Sequence, residues 1–123
     1  MSKKISPHVQ IYKFPITAIS SITTRLTGLY LTGLFVAGGI SKINNYDKVV
    51  IDKYNNLNSK FKTVINYSII FPLTYHTYGG LRHFLWDKFP NLLTNKSVVK
   101  SSYLLFGLTG VSSILAEKII NKN

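Results

Sequence analysis

His76, Gly80, His83 and Asp87 lie at offsets of 0, 4, 7 and 11, which at about 100° per residue is one stripe along a helix. A glycine one turn from a histidine leaves a flat notch beside the imidazole. Such a notch suits a large planar ligand that must reach the ring nitrogen, and a porphyrin with neutral imidazole as axial ligand fits it. A lone histidine between membrane helices serves as often as a hydrogen-bonding group, so both readings stand at this point. His76 and His83 are about 10.5 Å apart along a helix and point the same way, so they cannot bind opposite faces of one iron. The remaining histidine, His8, precedes the first apolar segment. A second axial ligand to an iron on His76 is therefore expected from another chain. His83, next to Arg82, is placed to meet the carboxylates of such a ring, or else headgroups or a partner at an interface.

A second constellation is Ser21 with Arg25. Four residues apart, a hydroxyl and a guanidinium share one helix face, beside the apolar Ile22. An isolated arginine there extends to lipid phosphate. Paired with a neutral donor in an apolar recess, it could instead bind a quinone carbonyl and stabilise the negative charge that develops on reduction.

The elements that must position these groups are marked by where charge is missing. Between Phe14 and Ser41 the only charge is Arg25; Thr63 to Leu81 has none, and Ser101 to Ala116 has none. About 20 helical residues cross a hydrocarbon core of about 30 Å. The expected architecture is all-α, with three transmembrane helices over roughly 20–42, 64–86 and 98–120, within one domain spanning 1–123. The N-terminal tail is 1–15, the first loop 43–63 and the connector 87–97. Small residues inside the spans, among them Gly28, Gly33, Gly38, Gly79, Gly107 and Ser113, suit close helix contacts in lipid. Three core helices of a soluble bundle are disfavoured because no charged outer face is visible. The segment 41–62 is rich in Lys and Asn and is expected to be partly helical and solvated. Pro90 favours a turn in the connector.

Length and composition close off other classes. A chain of 123 residues holds one domain rather than two separate cores. Its formal net charge of +11 would suit a nucleic-acid binder, but 46% hydrophobic and only 15% charged residues are too apolar for binding by phosphate neutralisation. No cysteine is present, which excludes disulfides, thiolate metal centres and a cysteine nucleophile. Lysine counts do not orient the spans: the tail with residues 87–100 carries six, and residues 41–62 with the C-terminal tail carry seven. Met1 to Pro7 lacks the pattern of a signal peptide or an import sequence. The expectation is a protein made in the compartment where it works, or a mature form. Heavy use of Lys, Asn and Ile fits an AT-rich organelle or bacterial genome.

Two stretches carry a resemblance. Ser6-Pro7-His8-Val9-Gln10-Ile11-Tyr12 followed by Phe14-Pro15-Ile16-Thr17-Ala18-Ile19-Ser20-Ser21-Ile22-Thr23-Thr24-Arg25-Leu26-Thr27-Gly28 resembles the N-terminal signature of the cytochrome b subunits of succinate dehydrogenase. His76 to Asp87 is similar to that family's second signature, His-x-x-x-Gly-(Ile/Leu)-Arg-His followed by Asp. The resemblance implies a membrane-anchor subunit of respiratory complex II, half of a heterodimeric helix bundle with a second three-helix anchor. It implies haem b held between the two anchors and shared by one histidine from each. Further implied partners are an iron–sulfur subunit and the flavoprotein that oxidises succinate, with membrane lipid around them and no nucleic acid. Carried over residue by residue, the axial ligand falls on His76 and the quinone contacts on Ser21, Ile22 and Arg25. The haem-carboxylate neighbourhood falls on His83, Arg25, Arg82, Gly80 and Thr24.

The implied role is reduction of ubiquinone with electrons from the iron–sulfur subunit, in a chain with no self-contained active site. The implied location is the mitochondrial inner membrane, N-terminus in the matrix, or a bacterial cytoplasmic membrane. One departure stands out: Thr24 precedes Arg25 where the family usually has histidine, and threonine cannot carry a proton at neutral pH. A scaffold of the same descent that has lost haem or quinone binding is the alternative.

Overall fold

The computed structural model describes residues 13–122. Ser6 to Tyr12, with His8, lie outside the described residues. The described chain is all-α: α1 (Ile16–Ile43), α2 (Asp47–Asn55), α3 (Ser59–Lys88), a 3₁₀ turn (Pro90–Leu92) and α4 (Asn95–Lys122).

Each boundary has a local cause. Pro15, with φ −75° and ψ 150°, precedes α1 and lacks the N–H that a helix start cannot pair. α1 ends in a Schellman motif. Asn45 takes φ 58°, its N–H donates to Lys42 O at 3.1 Å, and Tyr46 N–H donates to Ser41 O at 2.9 Å. Asparagine is among the few residues that accept this left-handed conformation. α3 stops at Lys88, two residues ahead of Pro90, because the residue before proline is pushed out of the α region. The helix within 41–62 is α2, tied to the end of α1 by Lys42 Nζ on Asp47 Oδ2 at 2.7 Å.

α3 packs on both α1 and α4, and α1 also meets α4. What these contacts bury is small or polar: Ser20, Thr27, Ser102, Thr109, Ser113 and Glu117 are buried alongside only Leu31, Tyr75 and Leu105 as hydrophobic residues. The large apolar side chains face outward, with Leu29 at 72% and Phe35 at 76% exposure. In water this distribution would forfeit the hydrophobic driving force; in hydrocarbon it leaves apolar groups in an apolar solvent and brings backbones together over small residues. Many hydroxyls return to their own helix. Thr24, Thr27, Thr74 and Thr109 donate to carbonyls four residues back at 2.8–2.9 Å, which satisfies each donor without water.

Among the described residues, α1 and α4 are long and apolar enough to cross a membrane. α3 is the longest helix, at 30 residues, but polar side chains dilute its apolar character. Asn66, Ser68, Thr74, His76, Arg82 and His83 all lie on it. α3 and α4 extend several residues past the charge-free stretches 63–81 and 101–116 at both ends, because charged and polar residues can continue a helix without breaking its backbone bonds.

Candidate functional site

The N-terminal half of α1 runs antiparallel to the C-terminal half of α3, so both signatures meet. Tyr75, fully buried, donates from its hydroxyl to Ser20 O at 3.2 Å. One residue on, His76 Nδ1 stands 3.0 Å from Thr24 O. A carbonyl oxygen only accepts, so this bond puts the imidazole proton on Nδ1 and leaves the Nε2 lone pair free. The His76 side chain is nonetheless exposed on this chain, as are Gly80, His83 and Asp87. The stripe read from the spacing thus forms one open face on α3. A Cβ at Gly80 would meet nothing within 4 Å, so the surface beside the imidazole is flat and clear.

That donor set fits a haem. A metal-bound imidazole characteristically gives its other N–H to a carbonyl or carboxylate, which fixes the tautomer and makes the ligating nitrogen more basic. His76 has that arrangement. Among the described residues, His76 and His83 are the histidines, and they lie about 10.5 Å apart along α3.

The other candidates fall into two groups. Ser21 is half-buried; Ile22 and Arg25 are exposed on the α1 stretch that carries Thr24. These three lie within one turn of Thr24 along α1, the residue whose carbonyl meets His76. Thr24 is half-buried, with its Oγ1 donating to Ser20 O at 2.9 Å. His83 meets Trp86 edge-on, ring centroids 5.2 Å apart, and the two line an open cleft of about 690 Å³ with Phe84, Asp87, Pro90 and Leu93. Arg82 turns the other way. Its Nη1 donates to Ser102 Oγ at 3.1 Å on α4, and its Cζ lies 4.5 Å from the Trp86 ring centre. Arg82 is thus joined to the α3/α4 seam, about 240° around the helix from His76, and shares the Trp86 ring with His83.

Several participants escaped the sequence. Tyr75 was legible only as the neighbour of His76. Its ring lies against Phe71 and Phe106, with centroids 5.8 and 5.0 Å away. Glu117 is buried near the far end of α4, where its Oε1 accepts from Asn121 at 2.8 Å and Asn66 at 3.4 Å. Asn66 in turn accepts from Tyr54 of α2 at 2.7 Å. The signal available was an acid and an amide in otherwise apolar helices.

Comparison with known proteins identifies the relatives of this chain. The family profile described as succinate dehydrogenase/fumarate reductase transmembrane subunit matches residues 1–116. A mitochondrial succinate dehydrogenase cytochrome b560 subunit of Dictyostelium discoideum is 31% identical over 89% of this chain and 58% of its own length. Its counterpart from Sus scrofa is 30% identical over 92% of this chain and 69% of its own. The succinate dehydrogenase cytochrome b560 subunit of Reclinomonas americana is 32% identical over 94% of this chain and 85% of its own. The chain thus spans a little under three fifths to more than four fifths of the length of these relatives. With the profile covering all but the last seven residues, the chain belongs to the succinate dehydrogenase/fumarate reductase transmembrane subunit family.

Proposed function

We propose that this chain is the cytochrome b anchor subunit of a succinate:ubiquinone oxidoreductase, with α1, α3 and α4 as its three membrane spans. The observation that carries it is the His76 imidazole, exposed on the bundle face with Nδ1 committed to Thr24 O and Nε2 free. Haem b, held by His76 and a histidine of a second anchor subunit, would supply a one-electron redox centre. The chain's own residues bind and orient. His76 Nε2 would face the iron, Gly80 leaves the ring surface clear, and His83 lies one helical stretch further on for the haem carboxylates. Thr24 contributes its backbone carbonyl there, and Arg25 its charge.

Ubiquinone is the substrate, with its head group beside Ser21, Ile22 and Arg25. The Ser21 hydroxyl donates to one quinone carbonyl. Arg25 lowers the energy of the anion formed as electrons arrive from a partner's iron–sulfur subunit, and Ile22 keeps the recess apolar, which strengthens both effects. Arg82, bonded to Ser102, acts in holding α3 to α4, with its charge kept near the membrane boundary. The cleft of His83, Trp86 and Asp87 at the connector end is where the iron–sulfur subunit would dock, itself carrying the flavoprotein. The relatives described as mitochondrial favour the mitochondrial inner membrane, with this end in the matrix.

Purification of the intact assembly tests the proposal: companion subunits of complex II and a reduced-minus-oxidised b-type haem spectrum are expected. An assembly with those companions and no haem spectrum would leave the chain as a scaffold.

A further inference from the structure

Two of the eight glycines are places where another helix closes in. A Cβ on Gly28 would stand 2.7 Å from Cε1, 3.2 Å from Nδ1 and 3.5 Å from Nε2 of His76. A Cβ on Gly79 would stand 3.1 Å from Oγ1 and 3.2 Å from Cγ2 of Thr24. At Gly33, Gly38, Gly39, Gly80, Gly107 and Gly110 nothing lies within 4 Å. Both tight positions therefore surround one hydrogen bond, that of His76 Nδ1 to Thr24 O.

The pattern is reciprocal. α1 offers a knob at Thr24 and a hole four residues later at Gly28; α3 offers a knob at His76 and a hole three residues later at Gly79. Neither knob can readily step aside. Threonine is stiff at χ1, and its Oγ1 is held on Ser20 O. The imidazole is a rigid ring bonded to the backbone of α1. Sliding one helix past the other by a single residue, about 1.5 Å, would misplace both knobs and break the hydrogen bond between them.

We propose that Gly28, Gly79 and Thr24 are positioning residues for the His76 imidazole. Together they fix its plane and its Nδ1–H tautomer, which leaves Nε2 as the nitrogen available to a ligand. Thr24 thereby takes a part that its side chain could not play as a proton carrier: its carbonyl orients the ligand, while its side chain fills the space that Gly79 leaves open. This inference rests on the assignment of His76 as the haem ligand.

The test uses the assembled complex and, separately, the full chain in detergent with ¹⁵N-labelled histidine. Gly28→Ala should shift the low-spin haem signal in electron paramagnetic resonance and weaken haem retention by roughly 10-fold or more, the scale of lost orienting contacts around a metal ligand. In the haem-free chain it should shift the His76 nitrogen resonances away from the Nδ1–H pattern. Gly79→Ala should do the same, and Thr24→Ala added to it should restore the native signals by vacating the space the new methyl needs. Gly110→Ala, in open space on α4, should change none of them. Native signals in Gly28→Ala, or no rescue of Gly79→Ala by Thr24→Ala, would overturn the inference. A native complex without any haem signal, but with the Nδ1–H pattern intact, would sink the ligand assignment and leave the positioning geometry standing.

Discussion

His76 Nδ1 and the Thr24 carbonyl, 3.0 Å apart, join the two signature segments across the α1/α3 interface. The bond is made by a side chain on α3 and by the backbone of α1, so the identity of residue 24 does not decide whether it forms. That explains how a threonine can stand where histidine is usual without disturbing the proposed ligand.

His76→Leu should abolish or displace the haem absorption band in the purified assembly. Leucine keeps the bulk against Gly28 but offers no lone pair. A difference spectrum identical to that of the native complex would remove His76 as ligand.

Ser21→Ala and Arg25→Ala should each lower quinone reduction by roughly 10- to 100-fold, the equivalent of the 1.5–3 kcal/mol of a hydrogen bond to a charged group. Succinate oxidation measured with a soluble dye should hold near the native rate, because the dye takes its electrons upstream. Parallel loss in both assays would assign these residues to assembly instead.

Tyr75 is fully buried, packed between Phe71 and Phe106 and bonded to Ser20 O. Tyr75→Phe should cost about 1 kcal/mol by losing one hydrogen bond. Tyr75→Ala should cost roughly 3–5 kcal/mol through the void it leaves. Thermal unfolding in detergent distinguishes the two, with the alanine variant melting lower.

Asn66 links α2 to the bundle, accepting from Tyr54 and donating to Glu117. Asn66→Ala removes both links and leaves Glu117 with one fewer donor in a buried site where its Oε2 already lacks a partner. Hydrogen exchange at Asp47–Asn55 should quicken, while the amides around His76, at the other end of the interface, keep their protection.

The hydrogen bond from Lys42 holds the Asp47 carboxyl below its ordinary value of 3.8, outweighing the opposing desolvation, with the lysine's charge and backbone N–H donors adding smaller lowering effects. A depressed carboxylate stabilises the fold above its unfolded pKa, and that contribution fades as pH falls through the folded value. The α1/α2 junction is therefore expected to loosen only in acid below pH 3.8. In a carboxyl titration followed by NMR, Asp47 should titrate at higher pH in Lys42→Ala than in the native chain, and added salt should narrow the difference between the two chains.

Much of the site was legible because its chemistry is tied to helical spacing. The interval from His76 to Asp87 and the pair Ser21 and Arg25 need only a helix to become faces, and apolar stretches free of charge guarantee helices in lipid. Arg82 marks where that reasoning stops. Sequence neighbours His83 and Arg82 look like one cationic site, yet the fold sends Arg82 to Ser102 and Trp86 on the α3/α4 side. Gly28 looked like any other small residue until α3 placed an imidazole over it.

The sequence alone determined the helices, the absence of thiol chemistry and the order of the two signatures, since composition and periodicity act locally along the chain. Only the tertiary structure decided which glycines receive a neighbour, which nitrogen of His76 keeps the proton, and that Tyr75 and Glu117 are buried. Those depend on the register between antiparallel helices, which arises from residues some fifty positions apart and leaves no period in the sequence of either helix.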